Sequence, residues 1–229
     1  MVYKYLSHLL SRGLARCVLC AAGPAEPDGV CEPCRGELPY LHSACHRCAL
    51  PLPQPAGACA NCLQQPPPFA SARAAWHYAF PVGQLIQRFK YHRDLAAGHS
   101  LALLAADHIR PNERPDLLVP IPLHWRRYLT RGYNQAQLLA SEFGRQWNIP
   151  VKPRLLHKHT ATGTQQQLKR GQRLRNLRDS FRVRGTPVGL HIGLVDDVIT
   201  TGATLEAAAR CLLEVGAARV STFALARTP

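Results

Sequence analysis

Eight of the nine cysteines lie in the first 62 residues as four Cys-x-x-Cys pairs, Cys17/Cys20, Cys31/Cys34, Cys45/Cys48 and Cys59/Cys62. Each pair begins 14 residues after the one before. Two residues between thiolates let one tight turn aim both sulfurs at one ion, and two such turns close a tetrahedral zinc site. A disulfide framework or redox chemistry is the other reading. It needs an oxidising compartment, and the leading segment argues against one, because Leu6 to Leu14 is interrupted by Ser7, His8, Ser11 and Arg12. Eight thiolates suffice for two closed structural sites. Gly29 and Gly57 each stand two residues before a pair, whereas Ala15 and Ser43 hold the matching places before the other two. The repeat is therefore 28 residues and two pairs long. It groups Cys17, Cys20, Cys31 and Cys34 in one site and Cys45, Cys48, Cys59 and Cys62 in the other, with an interleaved cross-brace as the alternative. The segment has few large apolar residues, so it needs metal to offset its ordering entropy. Chelation should unfold it and leave the rest folded. Cys211 sits on a helical pattern and reads as a core thiol.

Gln64 to Phe69, QQPPPF, is a proline-rich break. It divides the chain into residues 1–65, a small double ribbon, and 66–229. With 46% hydrophobic residues among 229, the chain can build a core, and general disorder is excluded. Its longest apolar run, Leu101 to Ala106, is too short for a membrane helix, so we expect a cytoplasmic protein without membrane insertion. The net charge of +14 favours a polyanionic or phosphorylated partner. Beyond the break, patterning predicts strands over Ala74–Phe80, Leu117–Leu123, Gly189–Val195 and Arg219–Ala226. It predicts helices over Val82–Tyr91, Leu95–Ile109, Asn134–Trp147 and Thr204–Val215. That alternation implies an α/β fold, a parallel sheet flanked by helices.

Ile192 to Thr204, IGLVDDVITTGAT, carries the most chemistry. A buried strand delivers Asp196 and Asp197 at its carboxyl end. Thr200, Thr201, Gly202, Ala203 and Thr204 then open a helix, where bare N–H groups and hydroxyls suit a phosphate. Two acids beside a phosphate cradle make sense if the phosphate hangs on a polyol, with the acids taking ribose hydroxyls or helping to hold Mg²⁺.

LVDDVITTGAT resembles the phosphoribosyl pyrophosphate (PRPP) motif of type I phosphoribosyltransferases. Together with the cysteine array, Pro120-Ile121-Pro122 and Arg131-Gly132-Tyr133-Asn134-Gln135, the chain is identified as a member of the ComF family, including GntX-type proteins. The resemblance spans nearly the whole chain. It implies a double zinc ribbon with two structural zinc ions, followed by a phosphoribosyltransferase-like domain. It also implies a role in natural transformation or in the use of DNA as nutrient, with single-stranded DNA and DNA-uptake or recombination proteins as partners. On this pattern Asp196 and Asp197 hold the PRPP ribose, with magnesium accompanying PRPP, and Thr200 to Thr204 take the 5′-phosphate. The turn after Leu117–Leu123 grips pyrophosphate, with His124, Arg126, Arg127 and Arg131 as cationic candidates. Val151 to Arg184, with ten Lys and Arg against the single acid Asp179, matches the mobile loop that closes over it. Arg131, Lys169 and Arg173 are then the candidate catalytic cations. A solvated basic surface is the plain alternative for that stretch. If Lys169 to Arg178 were helical, it would turn several cations outward, toward PRPP and DNA alike.

Two features depart from nucleobase enzymes. Thr200 stands where hypoxanthine-type transferases carry an Asp, and little sequence follows Ala226 to build a lid over a base. Three readings therefore stay open. One is a PRPP-binding DNA-processing factor with or without transferase activity. The others are an ordinary phosphoribosyltransferase, and a DNA or protein docking module with a regulatory PRPP pocket. Trp125, Tyr128 and Tyr133 could stack on bases, or could simply be core residues.

Overall fold

Four parallel strands form the main sheet, and their spatial order differs from their chain order. The computed structural model describes residues 16–54, 57–123, 125–158 and 180–229. In it β1 (Ser71–His77), β6 (Arg219–Arg227), β5 (His191–Ile199) and β2 (Leu117–Pro120) lie side by side in that sequence. Both faces of the sheet are covered, which is why its central strands read as unbroken apolar runs. On one face α3 (Val82–Tyr91), α4 (Leu95–His108) and α6 (Gln135–Trp147) pack over Trp76, Leu118, Val195 and Phe223. Gly98 lets α3 and α4 close up, because a Cβ there would stand 2.4 Å from the Phe89 ring. On the other face α7 (Ala203–Glu214) sets Leu205, Ala208 and Leu212 against Ala72, Leu194 and Ala224.

The helix starts follow capping chemistry. Asp94 accepts from Ala97 N at 2.9 Å at the head of α4, and Asn134 accepts from Ala136 N at 3.0 Å at the head of α6. Asn148 closes α6 in the left-handed conformation, with φ 54°.

Several boundaries differ from the sequence reading. β1 begins and ends three residues earlier, because its ladder is set by β6, from Ser71↔Ser221 to His77↔Arg227. β2 stops at Pro120, since Pro120 and Pro122 have no N–H to continue a ladder. β5 does not end before the acids. It runs through them to Ile199, with Asp196 opposite Ala224 and Val198 opposite Ala226. The segment after β2 forms a short helix, α5 (Trp125–Arg131), rather than a plain turn. β3 (Leu156–Lys158) and β4 (Phe181–Val183) pair antiparallel and flank residues 159–179. Lys169, Arg173 and the suggested basic helix lie outside the described residues, as does His124.

In the ribbon, α1 (Glu32–Gly36) and α2 (Ala60–Gln64) each start directly after a cysteine, Cys31 and Cys59, 28 residues apart. The ribbon is docked on the sheet. Leu41 N donates to Ala75 O and His77 N to Pro39 O, both at 2.9 Å, along the outer edge of β1. Leu38 joins the core around Trp76, and Leu41 and Ala49 join the core on the other face. Among the described residues no helix is long and apolar enough to cross a membrane.

Candidate functional site

The two cysteine quartets are built alike. In the first turn of each, the fourth residue after the leading cysteine donates back to it, Ala21 N to Cys17 O at 2.9 Å and Ala49 N to Cys45 O at 2.8 Å. Both alanines take positive φ, 55° and 57°, which folds the pair tightly enough to aim its sulfurs together. Gly29, at φ 84°, closes the first quartet where a Cβ would stand 2.2 Å from Ser100 Oγ. The sulfurs of Cys17, Cys20, Cys31 and Cys34 lie within 4.8 Å of one another, as do those of Cys45, Cys48, Cys59 and Cys62. Cys20 Sγ stands 3.8 Å from Cys31 Sγ, and Cys48 Sγ 3.7 Å from Cys59 Sγ. Four sulfurs at about 2.3 Å from a central ion would stand about 3.8 Å apart, so the donor sets fit two structural zinc ions. Burial works to raise the Cys17 and Cys45 thiols, but backbone N–H groups outweigh it and hold both at about 6. Cys34 is pushed up by its hydrogen bond with Cys31, and Cys62 by burial. Four thiolates so close together need a dication between them.

At the carboxyl end of β5, Asp197 N donates to Asp196 Oδ1 at 2.8 Å. Burial, and then the charge of Asp197, push the Asp196 carboxyl up to about 7, with Lys90 and Lys158 pulling the other way. Asp197 Oδ1 is paired at 2.8 Å with Lys90 Nζ, and both side chains are largely covered. Lys90 belongs to the last turn of α3 and was not foreseen from the sequence. The available signal was its place beside the buried stripe Val82, Leu85, Ile86 and Phe89, where a solvated lysine is unusual. Past β5, Gly202 at φ 80° turns the chain into α7 with no side-chain cap. Ala203 N donates a long hydrogen bond of 3.4 Å to Thr201 Oγ1, a weak contact that an anion at the start of α7 would compete with.

Arg131 reaches the same region from α5. Its guanidinium lies 4.9 Å from the centre of the exposed Tyr91 ring and donates to Gln135 Oε1 at 3.0 Å. Lys90, Tyr91, Arg93, Thr130 and Arg131 line a cavity of about 380 Å³ whose wall, among the described residues, contains cations and no carboxylate. Through Lys90 this cavity adjoins Asp197. The rest of the RGYNQ segment is scaffolding. Tyr133 packs on Phe89 and donates to its carbonyl, and Asn134 Nδ2 donates to Ile121 O at 3.0 Å. Tyr133 is thus a packing residue, whereas Tyr128 is exposed.

One buried cation joins the two regions. Arg227, the last residue of β6, donates to Cys48 O and to Ile199 O, each at 3.2 Å, and also to Thr200 O. It ties a zinc knuckle to the strand end from which the threonine loop springs.

The matches to known proteins follow this division. A double zinc ribbon domain matches residues 9–63 and a phosphoribosyl transferase domain matches residues 91–229. The chain is 35% identical over 218 residues to the DNA utilization protein YhgH of Escherichia coli strain K12, covering 93% of this chain and 90% of that one. It is 32% identical over 225 residues to competence protein F of Haemophilus influenzae, covering 93% and 96%. With competence protein ComFC of Bacillus subtilis it shares 35% identity over 162 residues, 68% and 64% of the two chains. Solved structures with similar parts include glutamine PRPP amidotransferase from B. subtilis, at 21% identity and a TM-score of 0.39 over 54% of this chain and 25% of that one. The purine phosphoribosyltransferase from Pyrococcus horikoshii matches at 17% identity and 0.37 over 56% and 72%. With both domains matched in order and these relatives aligned over most of its length, the chain belongs to the ComF family, a double zinc ribbon followed by a phosphoribosyl transferase domain.

Proposed function

We propose that the protein binds PRPP at the carboxyl end of β5 and α7 and uses that binding in the uptake or utilisation of DNA. The single observation that carries the site is the succession of two adjacent, partly buried carboxylates, Asp196 and Asp197, and an uncapped helix start at Gly202. The acids accept from the ribose hydroxyls. The amides around Thr201 to Thr204, with the threonine hydroxyls, hold the 5′-phosphate. Magnesium, when bound with PRPP, neutralises pyrophosphate charge. Lys90 keeps Asp197 oriented, and Arg131 supplies positive charge toward the pyrophosphate, as Lys169 and Arg173 do from the segment between β3 and β4. These cations suit displacement at ribose C1, where charge builds on the departing pyrophosphate. The DNA role rests on the names of the relatives and on the net charge of +14.

Calorimetry with PRPP and Mg²⁺ tests the site. The Asp196→Asn/Asp197→Asn double variant is expected to lose at least tenfold in affinity, as when two charge-assisted hydrogen bonds are weakened, with the fold retained. Unchanged affinity would refute the site. Pyrophosphate release with a panel of acceptors then separates a transferase from a binding protein.

A further inference from the structure

The end of the sheet away from the acids carries a second cavity of about 380 Å³, between the ribbon and the starts of β1 and β6. Its wall includes Arg73 of β1 and Arg219 of β6, and Arg219 stands five positions before Ala224, the register partner of Asp196. At about 3.3 Å per residue that places the cavity roughly 17 Å from the acid pair. The wall is a cluster of basic groups short of anions. Arg73 is partly buried, and its only hydrogen-bond partner among the described residues is the neutral amide oxygen of Asn112, at 2.5 Å. The His42 and His108 rings meet edge to face with centres 5.9 Å apart, and Tyr40 lies 4.8 Å from His108. His108 is held below its usual range by burial, then by His42 and Arg73. The one carboxylate in the wall among the described residues, Glu113, is already paired with Arg219, whose Nε–H stays buried without an acceptor among them. Arg73 is thus a half-buried guanidinium beside His108 with no carboxylate partner among the described residues, a place that an anion would complete.

The rest of the wall decides which anion. Leu41, Ile109 and Phe223 give it an apolar side. The volume falls in the small-molecule range of roughly 300–1,000 Å³. A lone inorganic ion would leave most of that space empty. We infer that this cavity is a second ligand site, for a nucleotide phosphate, with the phosphate on Arg73 and the base against the apolar and imidazole surfaces. The nucleotide is either free or the phosphorylated end of a DNA strand.

The zinc-loaded protein is titrated by calorimetry with deoxyadenosine 5′-monophosphate. Binding should weaken about tenfold in Arg73→Gln, the loss of one charge-assisted contact, and should also weaken measurably in His42→Gln. It should be unchanged in the Asp196→Asn/Asp197→Asn variant. His42 is exposed, so its variant decides the matter should Arg73→Gln fail to fold. Short oligodeoxynucleotides with a 5′-phosphate or a 5′-hydroxyl give the second arm. A preference for the phosphorylated end that Arg73→Gln abolishes assigns the strand terminus; binding of the monophosphate without that preference assigns the free nucleotide. Absence of monophosphate binding at millimolar concentration, or binding that survives both the Arg73 and His42 changes, would overturn the inference.

Discussion

Asp196 is held in a state the unfolded chain does not share. Its carboxyl titrates near 7 when folded against an ordinary value of 3.8, because burial and Asp197 both disfavour its charge. The folded chain therefore binds the extra proton between those values. The stability this group contributes is present below about pH 4 and is lost as pH climbs through about 7. Asp196→Asn should raise the melting temperature at pH 8 by a few degrees, on the order of 1–2 kcal/mol. The gap should narrow toward pH 5.5 and level off above 7. Melting curves at three pH values check it, and equal temperatures throughout would show that Asp196 is not strained. The acid pair was legible in the sequence because two adjacent carboxylates after an apolar run have few bland uses. Lys90 was not, because a helix pattern gives the face of a residue but not the strand end it reaches across.

At the scale of elements, the ribbon repeat was legible because each cysteine pair marks its own turn; a 28-residue spacing with Gly29 and Gly57 favoured the sequential grouping over a cross-brace, and the sulfur positions bring the two quartets together in that grouping. How the ribbon sits on the sheet was not legible, since the hydrogen bonds from Leu41 to Ala75 and from His77 to Pro39 are backbone contacts that no side-chain pattern announces. That docking alters what metal removal does. Metal analysis should find two zinc ions per chain. Chelation should unfold the ribbon and also lower the melting temperature of the remaining sheet, because Leu38 and Leu41 lose cores in which each buried side chain is worth about 2 kcal/mol. An unshifted transition after chelation would mean that the docking contributes little. The strands were placed within a few residues; β2 was overextended across prolines that end its ladder, and the ends of β1 and β5 were missed for another reason. Their ends are set by partners such as Ser221 and Ala224, far away in the chain.

Over the whole molecule, Arg227 connects the second quartet with the threonine loop. A zinc ion with four thiolates carries two net negative charges, so a buried guanidinium beside Cys48 is electrostatically favourable. Its desolvation, which lowers its pKa, is offset by those thiolates and by the carbonyls it serves. Arg227→Met should leave the Cys48 carbonyl without its donor and the Ile199 carbonyl with the Thr228 N–H alone, at a cost of about 1–3 kcal/mol. It should also weaken PRPP binding, though the side chain lies behind the loop. Arg227→Lys should restore part of both. Calorimetry beside thermal melts checks it, and a variant that melts lower but binds PRPP normally would confine Arg227 to a structural role.

The place of β1 in the sheet has a consequence in time. Ser71 bonds Ser221 across 150 residues of chain. At roughly 5–20 residues per second of synthesis, β1 leaves the ribosome on the order of ten seconds or more before β6 exists. Through that wait one edge of β1 is a bare row of amides, open to any other strand. The Pro39–Leu41 segment, made earlier still, already lies along the opposite edge. A nascent chain that has captured zinc thus emerges with half of its first strand shielded, whereas a zinc-starved one offers both edges. Metal supply during growth would then govern how much of the newly made protein aggregates, independently of its effect on the finished fold.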